Sequence, residues 1–200
     1  MQPGPAVFSP LSMMMNISTK QFGLTRLVVA LLALTSLLSA CKKETSTQKA
    51  FREHEEAQKI IDDAEIQDYF TRHNINSSKY QRLESGVYLV DADTVANGTG
   101  PNVVSGQTVQ VKYTGRFIKA SREDVIFDQS FGNRTLCQCF EVLVDQSAVI
   151  KGWHEAIKNM KLGTRKRVFI PSYMAYGPTG SALIPADEPL MFYMEISKVK

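Results

Sequence analysis

Short runs in which apolar and polar residues alternate occupy much of the C-terminal half of the chain. Val109, Val111 and Tyr113 alternate with polar neighbours, and the same two-residue period recurs over residues 140–145 and 192–196. This period is typical of β-strands with one buried face, because successive side chains point to opposite sides of a strand. The pattern therefore predicts strands that follow one another directly, as they do in an antiparallel sheet.

One segment in this half has a helical period instead. Trp153, Ala156, Ile157 and Met160 recur at the three- and four-residue spacing that places side chains on one face of a helix. The sequence lacks the regular alternation of strand and helix that builds a parallel sheet. We therefore predict an α+β fold, in which an antiparallel twisted β-sheet wraps over one short α-helix.

A second helical pattern precedes the strands, over Ala50–His73. Its predicted apolar residues are Ala57, Ile60, Ile61 and Ala64 at helical spacing, with Tyr69 and Phe70 near the end of the helix. Acidic and basic residues are mixed over the remaining surface, which favours a spacer or a cover for the domain over a membrane-lying helix. The predicted division is an N-terminal helical extension over residues 50–80, followed by a sheet domain over residues 81–200.

The first forty residues have the three-part layout of a secretory signal. Lys20 and Arg26 precede an uncharged run over residues 27–40, which is shorter than the roughly 20 apolar residues of a membrane-spanning helix. Residues 38–41 (LSAC) resemble the bacterial lipobox. This resemblance implies that residues 1–40 are a removed signal peptide and that Cys41 carries a lipid. An ordinary signal peptide and a retained membrane helix are the less favoured alternatives.

The segment that follows Cys41 predicts how the domain would be attached. Residues 41–49 are polar and lack an apolar period, which is typical of a flexible tether. We expect a lipid-anchored protein of the bacterial cell envelope, on the periplasmic side or at the cell surface. A start within Met13–Met15 would give a signal of more usual length.

Charge and cysteine content exclude several other classes of protein. The formal net charge is +3, and Lys20 and Arg26 would leave with the signal, so the mature chain is nearly neutral and no nucleic-acid binding is predicted. Cys137 and Cys139 are too few for a disulfide framework and have no partners at zinc-site spacing. We expect packing residues there, with a local bond between the two as the alternative, and neither a metal nor a cofactor.

Signatures of covalent or metal-dependent catalysis are missing from the sequence. It contains no nucleophile elbow, no glycine-rich phosphate loop and no zinc-protease motif. The three histidines, His54, His73 and His154, lie among polar residues and are predicted to be exposed to solvent. Any enzymatic activity would then come from a binding pocket.

Aromatic residues beside glycine and proline supply such a pocket. The motifs follow one another as Val111–Gly115 (VKYTG), Phe127–Asp128, Val149–Trp153 (VIKGW), Tyr176–Gly177 and Leu190–Phe192. In this order and spacing they resemble the FKBP-type peptidyl-prolyl cis-trans isomerases, from about Gly106 to Lys200. The resemblance implies the FKBP fold and an isomerase that needs no cofactor.

Residue by residue, the same resemblance implies a proline pocket with Trp153 as its floor. The residues carried over as catalytic are Tyr113, Phe127, Asp128, Trp153, Tyr176 and Phe192. Those carried over as substrate-binding are Phe140, Val142, Val149, Ile150 and Ile184. In the family, the backbone N–H at the position of Ile150 binds a substrate carbonyl.

The chain departs from the family pattern near the rim of this pocket. Met174 stands where a tyrosine is common, Val142 stands where phenylalanine is common, and the loop over residues 180–183 is about one residue short. A charged insertion over Lys119–Asp124 lengthens what is predicted to be a surface loop. Because the floor and walls are retained, we expect activity with an altered rim.

The predicted function is therefore peptidyl-prolyl cis-trans isomerisation of proline-containing exported polypeptides by a protein held at the membrane through Cys41. The alternatives are a catalytically weak FKBP-like module that binds or chaperones partners, and a structural surface lipoprotein. A monomer is expected, with a dimer formed through the N-terminal helix as the alternative.

Overall fold

The computed structural model describes residues 45–92 and 98–200. The predicted signal peptide, Cys41 and the start of the predicted tether lie outside the described residues. The contacts place residues 49–200 in one compact unit and the residues up to 48 in another. Within the described ranges, no helix is both long enough and apolar enough to cross a membrane.

In the described residues, seven strands form one sheet, and every pair is antiparallel as the alternating pattern predicts. The strands are β1 (Tyr80–Arg82), β2 (Tyr88–Asp91), β3 (Thr108–Phe117), β4 (Ile126–Gln129), β5 (Phe140–Leu143), β6 (Arg165–Ile170) and β7 (Leu190–Val199). Their order is β1-β2-β6-β7-β3-β4, and β5 pairs with the first part of β3. The predicted α+β antiparallel fold is confirmed, and β3 and β7 form its centre.

Helix α2 (Lys151–Lys158) covers one face of the sheet. Its residues Trp153, Ala156 and Ile157 are buried against side chains of β3 and β7 in the larger apolar core. Helix α1 (Ser46–Arg72) covers the opposite face, where Ile66 and Phe70 pack in a second core. Of the two roles left open for the N-terminal helix, a spacer or a cover for part of the domain, the structure shows the second.

Strands β2 and β6 have side chains in both cores. Leu89 and Val168 point into the larger core, whereas Tyr88 and Phe169 point into the core beneath α1, and all four are at most 2% exposed. Because both faces of β2 are buried, its first three residues form a continuous apolar run and do not alternate with polar residues. The sheet is thus the middle layer of three.

The predicted tether over residues 41–49 is wrong at its C-terminal end, because α1 already begins at Ser46. The Gln48 amide donates to the Thr45 hydroxyl, and the Thr45 amide and hydroxyl donate to the Gln48 side chain. This reciprocal arrangement is a capping box, which satisfies amides that a helix start leaves without partners. The Thr-x-x-Gln sequence is its signature.

The predicted apolar face of α1 is wrong over the first part of the helix, whereas Tyr69 and Phe70 near its end are buried. Ala57, Ile60, Ile61 and Ala64 are exposed, with Ile60 at 74%. The buried stripe of the helix comprises Gln58, Asp62, Ile66, Tyr69 and Phe70. Polar residues occupy the N-terminal part of this stripe because they form hydrogen bonds there, and apolar contact with the sheet is confined to the last turns.

The end of α1 shows why the predicted extension over residues 50–80 overlaps the sheet. Asn74 has a φ of 54°, and the amides of Asn74 and Ile75 donate to Thr71 and Phe70 in the pattern of a Schellman motif. Ile75 is buried beside Phe70 in the second core. The chain therefore turns back at once, and the sheet begins at Tyr80.

Candidate active site

Five aromatic residues that the sequence predicts as pocket walls and floor meet on the α2 side of the sheet. The Trp153 ring centroid lies 4.7 Å from that of Tyr113, 5.4 Å from that of Phe192 and 6.3 Å from that of Phe140. Phe127 completes the cluster at 5.5 Å from Phe192. The Trp153, Phe192 and Phe127 contacts are nearly perpendicular, as favourable edge-to-face pairs are.

Exposure within this cluster increases from the floor to the rim. Trp153 and Phe192 are 5% and 3% exposed, Tyr113 and Phe127 are half-buried, and Phe140 is 43% exposed. The cluster is thus an apolar surface with a buried base and an open edge. Such a surface suits a small apolar ring such as that of proline.

Gly115 lets the two wall rings approach each other. A Cβ atom there would lie 2.6 Å from the Phe127 ring and 2.9 Å from the Phe192 ring. Gly115 pairs with Asp128 on β4 and with Phe192 on β7, and a bulge follows it. An isolated glycine in a strand is a sequence signal for such close approach, although the motif alone does not state which side chains are involved.

The polar groups of the site lie at its rim. The Tyr113 hydroxyl donates to Asp128 at 2.8 Å, and the Gln129 amide donates to the other Asp128 oxygen at 2.8 Å. Burial raises the pKa of the Tyr113 phenol, and the hydrogen bond to Asp128 raises it further. Tyr176 is 40% exposed, and burial and the charge of Asp128 raise its phenol pKa. Both phenols are therefore donors at neutral pH.

The segment before α2 borders the same cluster. Val149 and Ile150 are partly buried and pack against the core that contains Trp153. Ile150 is the N-cap residue of α2, with an extended backbone, and its carbonyl accepts from the Trp153 amide. Helix starts leave amides without intrahelical acceptors. The Ile150 amide is thus placed, by local geometry, where an added carbonyl oxygen could accept from it.

Two of the predicted substrate-binding residues lie deeper than the others. Ile184 is 3% exposed within the core, and Val142 is 0% exposed, opposite Val109 in the pairing of β3 with β5. Val142 thus supports the cluster from behind and presents no surface to a ligand.

The structure reveals a polar network that the sequence did not predict. Asp62 on α1 is fully buried and accepts from Ser172, in the β6–β7 connection that also carries Tyr176. Exposed His54, also on α1, contacts Asp187 at 3.0 Å in the same connection. The local sequence signal for this network was the position of Asp62, a charged residue four positions before the apolar Ile66 and therefore on the same face of the helix.

The charged insertion over Lys119–Asp124 is a docking segment and not a free surface loop. Glu123 pairs with Arg72 and His73 at the end of α1. Lys119 lies 3.3 Å from Glu65 and 3.2 Å from the buried Glu188. The insertion therefore joins α1 to the sheet through ion pairs.

Histidine and cysteine side chains lie outside the aromatic cluster. His154 was predicted to be exposed but is half-buried, because its ring nitrogens contact the Asp145 amide and the Ser147 carbonyl. Cys137 and Cys139 form a disulfide, the alternative to free packing residues. No cluster of side chains able to hold a metal occurs in the described part of the chain.

Comparison with known proteins points to one family. Residues 100–197 match the family described as FKBP-type peptidyl-prolyl cis-trans isomerase. The FK506-binding protein 1 of Gibberella zeae is 34% identical over 55% of this chain and 97% of its own length. The FK506-binding protein of Neisseria meningitidis is 33% identical over 54% of this chain and 93% of its own length.

A solved structure has the same fold. The crystal structure of a peptidyl-prolyl cis-trans isomerase from Pseudomonas syringae aligns with a TM-score of 0.55 and 29% identity, over 72% of this chain and 95% of that one. Other curated relatives are much longer. The chain spans 29% of the FK506-binding protein 4 of Mycosarcoma maydis and 24% of that of Gibberella zeae.

Proposed function

Because this chain belongs to the FKBP-type peptidyl-prolyl cis-trans isomerase family, we propose that it accelerates rotation about X-Pro bonds by holding the proline non-covalently in the aromatic cluster. The observation that carries the proposal is the packing of Tyr113, Phe127 and Phe192 around the buried Trp153. All the wall groups are apolar rings, and the polar groups lie at the rim.

Such a surface can lower the barrier without a covalent step. Rotation breaks amide resonance and faces a barrier of about 18–20 kcal/mol. A planar amide is a strong dipole that water stabilises, whereas the twisted amide is less polar. A site that excludes water from the bond therefore favours the twisted state over the planar one.

Two donors would hold the substrate chain beside the rotating bond. The Ile150 amide is oriented by the start of α2, and the Tyr176 phenol is held near the rim by the β6–β7 connection. Hydrogen bonds from these groups to substrate carbonyls would fix one side of the bond while the other side turns. Fixing the flanking chain converts binding energy into rotation about a single axis.

The proposed substrates are proline-containing exported polypeptides, and the proposed location is the bacterial cell envelope. The signal-like residues 1–40 and the lipobox-like residues ending at Cys41 support both proposals. A lipid on Cys41 would hold the domain close to a membrane. We propose that the protein binds no nucleic acid, since the mature sequence is nearly neutral. We propose a monomer because the N-terminal helical segment is short.

The test is turnover of a proline peptide by the soluble chain from Lys42 onward. Cis-to-trans isomerisation is followed at low temperature, where the uncatalysed reaction takes minutes. A rate proportional to enzyme concentration is the expected result. Binding of the peptide without turnover would instead identify a binding or chaperone module, and neither binding nor turnover would leave a structural lipoprotein.

A further inference from the structure

The Cys137–Cys139 disulfide closes a loop too short to stabilise the fold by chain entropy. The two residues are separated by Gln138 alone, and their Cα atoms lie 5.1 Å apart. A disulfide lowers the conformational entropy of the unfolded chain, and this effect increases with the length of the closed loop. A bond across a single residue therefore stabilises the fold very little by this route. Stabilisation of the fold therefore does not account for the Cys137–Cys139 disulfide.

Hydrogen bonds hold the surrounding loop independently of the disulfide. The Asn133 side chain donates to the Cys139 carbonyl at 2.8 Å, and the Thr135 hydroxyl accepts from the Cys139 amide at 3.2 Å. Asn133 in turn accepts from the amide and hydroxyl of Thr135. These bonds involve no sulfur atom, so they persist when the disulfide opens.

The two cysteines differ in their exposure to solvent. Cys139 is 3% exposed, whereas Cys137 is half-buried and follows Leu136, which is fully exposed. Cys137 is thus the more accessible of the two to an incoming thiolate. The Thr135 hydroxyl lies 3.6 Å from the Cys137 sulfur, within reach of a thiolate formed there. Exposed disulfides are the more readily exchanged ones.

The residue between the cysteines is held in an unfavourable conformation. Gln138 has a φ of 49°, in the left-handed region that a side chain with a Cβ atom rarely adopts. Its amide donates to the Thr135 carbonyl, two residues before Cys137. Strained residues of this kind cluster at functional sites.

We propose that Cys137 and Cys139 form a thiol–disulfide exchange site that accepts electrons from polypeptide thiols. A substrate thiolate attacks the Cys137 sulfur and forms a mixed disulfide, while the Cys139 sulfur leaves as a thiolate and takes up a proton. The second substrate thiolate then attacks the substrate sulfur of the mixed disulfide and releases Cys137. Two electrons pass from the substrate dithiol to the cysteine pair.

The cycle closes when a low-molecular-weight disulfide reoxidises the pair. That step moves the two electrons on to the small disulfide and restores the Cys137–Cys139 bond. The site is adjacent to the aromatic cluster, since Phe140 follows Cys139 directly and its ring centroid is 6.3 Å from that of Trp153. The exchange itself does not depend on prolyl isomerisation.

The first experiment equilibrates the full chain with glutathione buffers and traps free thiols by alkylation. The protein carries Cys41→Ala, so that Cys137 and Cys139 are its only cysteines. The proposal expects complete reduction in excess reduced glutathione with an unchanged circular dichroism spectrum. A disulfide that stays oxidised under these conditions, or a chain that unfolds when it is reduced, overturns the proposal.

The second experiment separates the two sulfurs with matched single variants. Cys139→Ser leaves the accessible thiol and Cys137→Ser leaves the buried one. With an aromatic disulfide reagent, the first should react about tenfold faster or more. Only the first should form a mixed disulfide with a cysteine peptide. Equal reactivity, or the reverse order, contradicts the proposal.

The third experiment measures transfer to a reduced two-cysteine peptide. The oxidised protein should form the peptide disulfide, and the Cys137→Ser/Cys139→Ser variant should not. The same samples are assayed for prolyl isomerisation, which the double variant should retain. No transfer by the oxidised wild type overturns the exchange proposal, and absent isomerisation in every sample contradicts the proposed function alone.

Discussion

Ser172 donates two hydrogen bonds to one oxygen of the buried Asp62 carboxylate, from its amide and from its hydroxyl, each at 2.7 Å. The other oxygen accepts from Gln58 at 2.8 Å. Asp62 lies on α1, and Ser172 begins the connection that carries Tyr176. The N-terminal helix is therefore bonded to the segment that forms the rim of the candidate active site.

Asp62→Ala should destabilise the fold and weaken catalysis together. The substitution leaves the amide and hydroxyl of Ser172 buried without an acceptor, at about 1–3 kcal/mol for each unsatisfied group. We expect a lower urea midpoint and a lower kcat/KM with a proline peptide. The matched control is Asp68→Ala on the exposed side of the same helix, where only a surface pair with Arg72 is lost. The Asp68→Ala variant should lose less than about 1 kcal/mol of the free energy of unfolding. Equal effects of the two variants would contradict the prediction.

The stability difference between wild type and Asp62→Asn should depend on pH. Burial raises the pKa of the Asp62 carboxyl above its usual 3.8, so the folded chain retains this proton to a higher pH than the unfolded chain. The contribution of Asp62 protonation to the free energy of unfolding is therefore fully present below about pH 3.8. It is lost as the pH rises through the pKa of Asp62 in the folded chain. Wild type should gain stability relative to Asp62→Asn as pH falls toward 4. Urea unfolding at several pH values measures this, and the opposite slope would contradict it.

Phe127→Ala should lower turnover far more than Tyr176→Phe. The first removes a wall ring and admits water to the site, whereas the second removes one rim hydrogen bond worth about 0.5–1.5 kcal/mol, at most about tenfold in rate. Removing this half-buried ring also costs stability, at most about 3–5 kcal/mol, so folding is verified by circular dichroism. Ile126→Ala, an exposed position on the same strand, is the control and should retain activity. A larger effect of Tyr176→Phe would contradict a mechanism based on desolvation.

Turnover should be nearly constant between about pH 6 and 8. Burial raises the phenol pKa of Tyr113 and of Tyr176, so neither loses its proton in this range. The histidines contact other groups: His54 meets Asp187, His73 meets Glu123 and His154 meets Ser147. A pH profile of kcat/KM is the measurement. A bell-shaped profile would indicate acid-base chemistry.

Cys41 should be lipidated when the full chain is expressed in a bacterium. The lipobox-like sequence ends at this residue, and its thiol would receive the lipid. Labelled palmitate should enter the wild type and not Cys41→Ser. Incorporation of the label into both proteins would contradict the prediction, and Cys137→Ser serves as a control that should label normally.

The sequence was sufficient for the sheet but not for the face of α1 that is buried. In β7, the two-residue period of Phe192, Met194 and Ile196 identifies the buried face because the larger core lies against one side of the strand. In α1, Ala57 and Ile60 share a helical face, but helical spacing alone does not determine whether a face meets the sheet. The buried stripe contains Asp62, whose partner Ser172 lies 110 residues further along the chain.

The aromatic cluster was predictable because its residues lie in short motifs with family spacing. Tyr113, Trp153 and Phe192 meet as that resemblance implies. The contacts between α1 and the β6–β7 connection left no comparable signal, since each joins single polar residues distant in sequence. The disulfide was one of two alternatives, because spacing permits a bond between Cys137 and Cys139 but does not require it.

The position of β7 in the sheet sets the time at which the newly made protein can fold. β7 pairs with β6 on one side and with β3 on the other, so the last of the seven described strands in chain order is central and not at an edge. It supplies Phe192 to one core and Met191 to the core under α1. Neither core can close until β7 has been synthesised. A nascent chain of this topology therefore has both faces of its other strands uncovered until β7 is available to pair with β3 and β6.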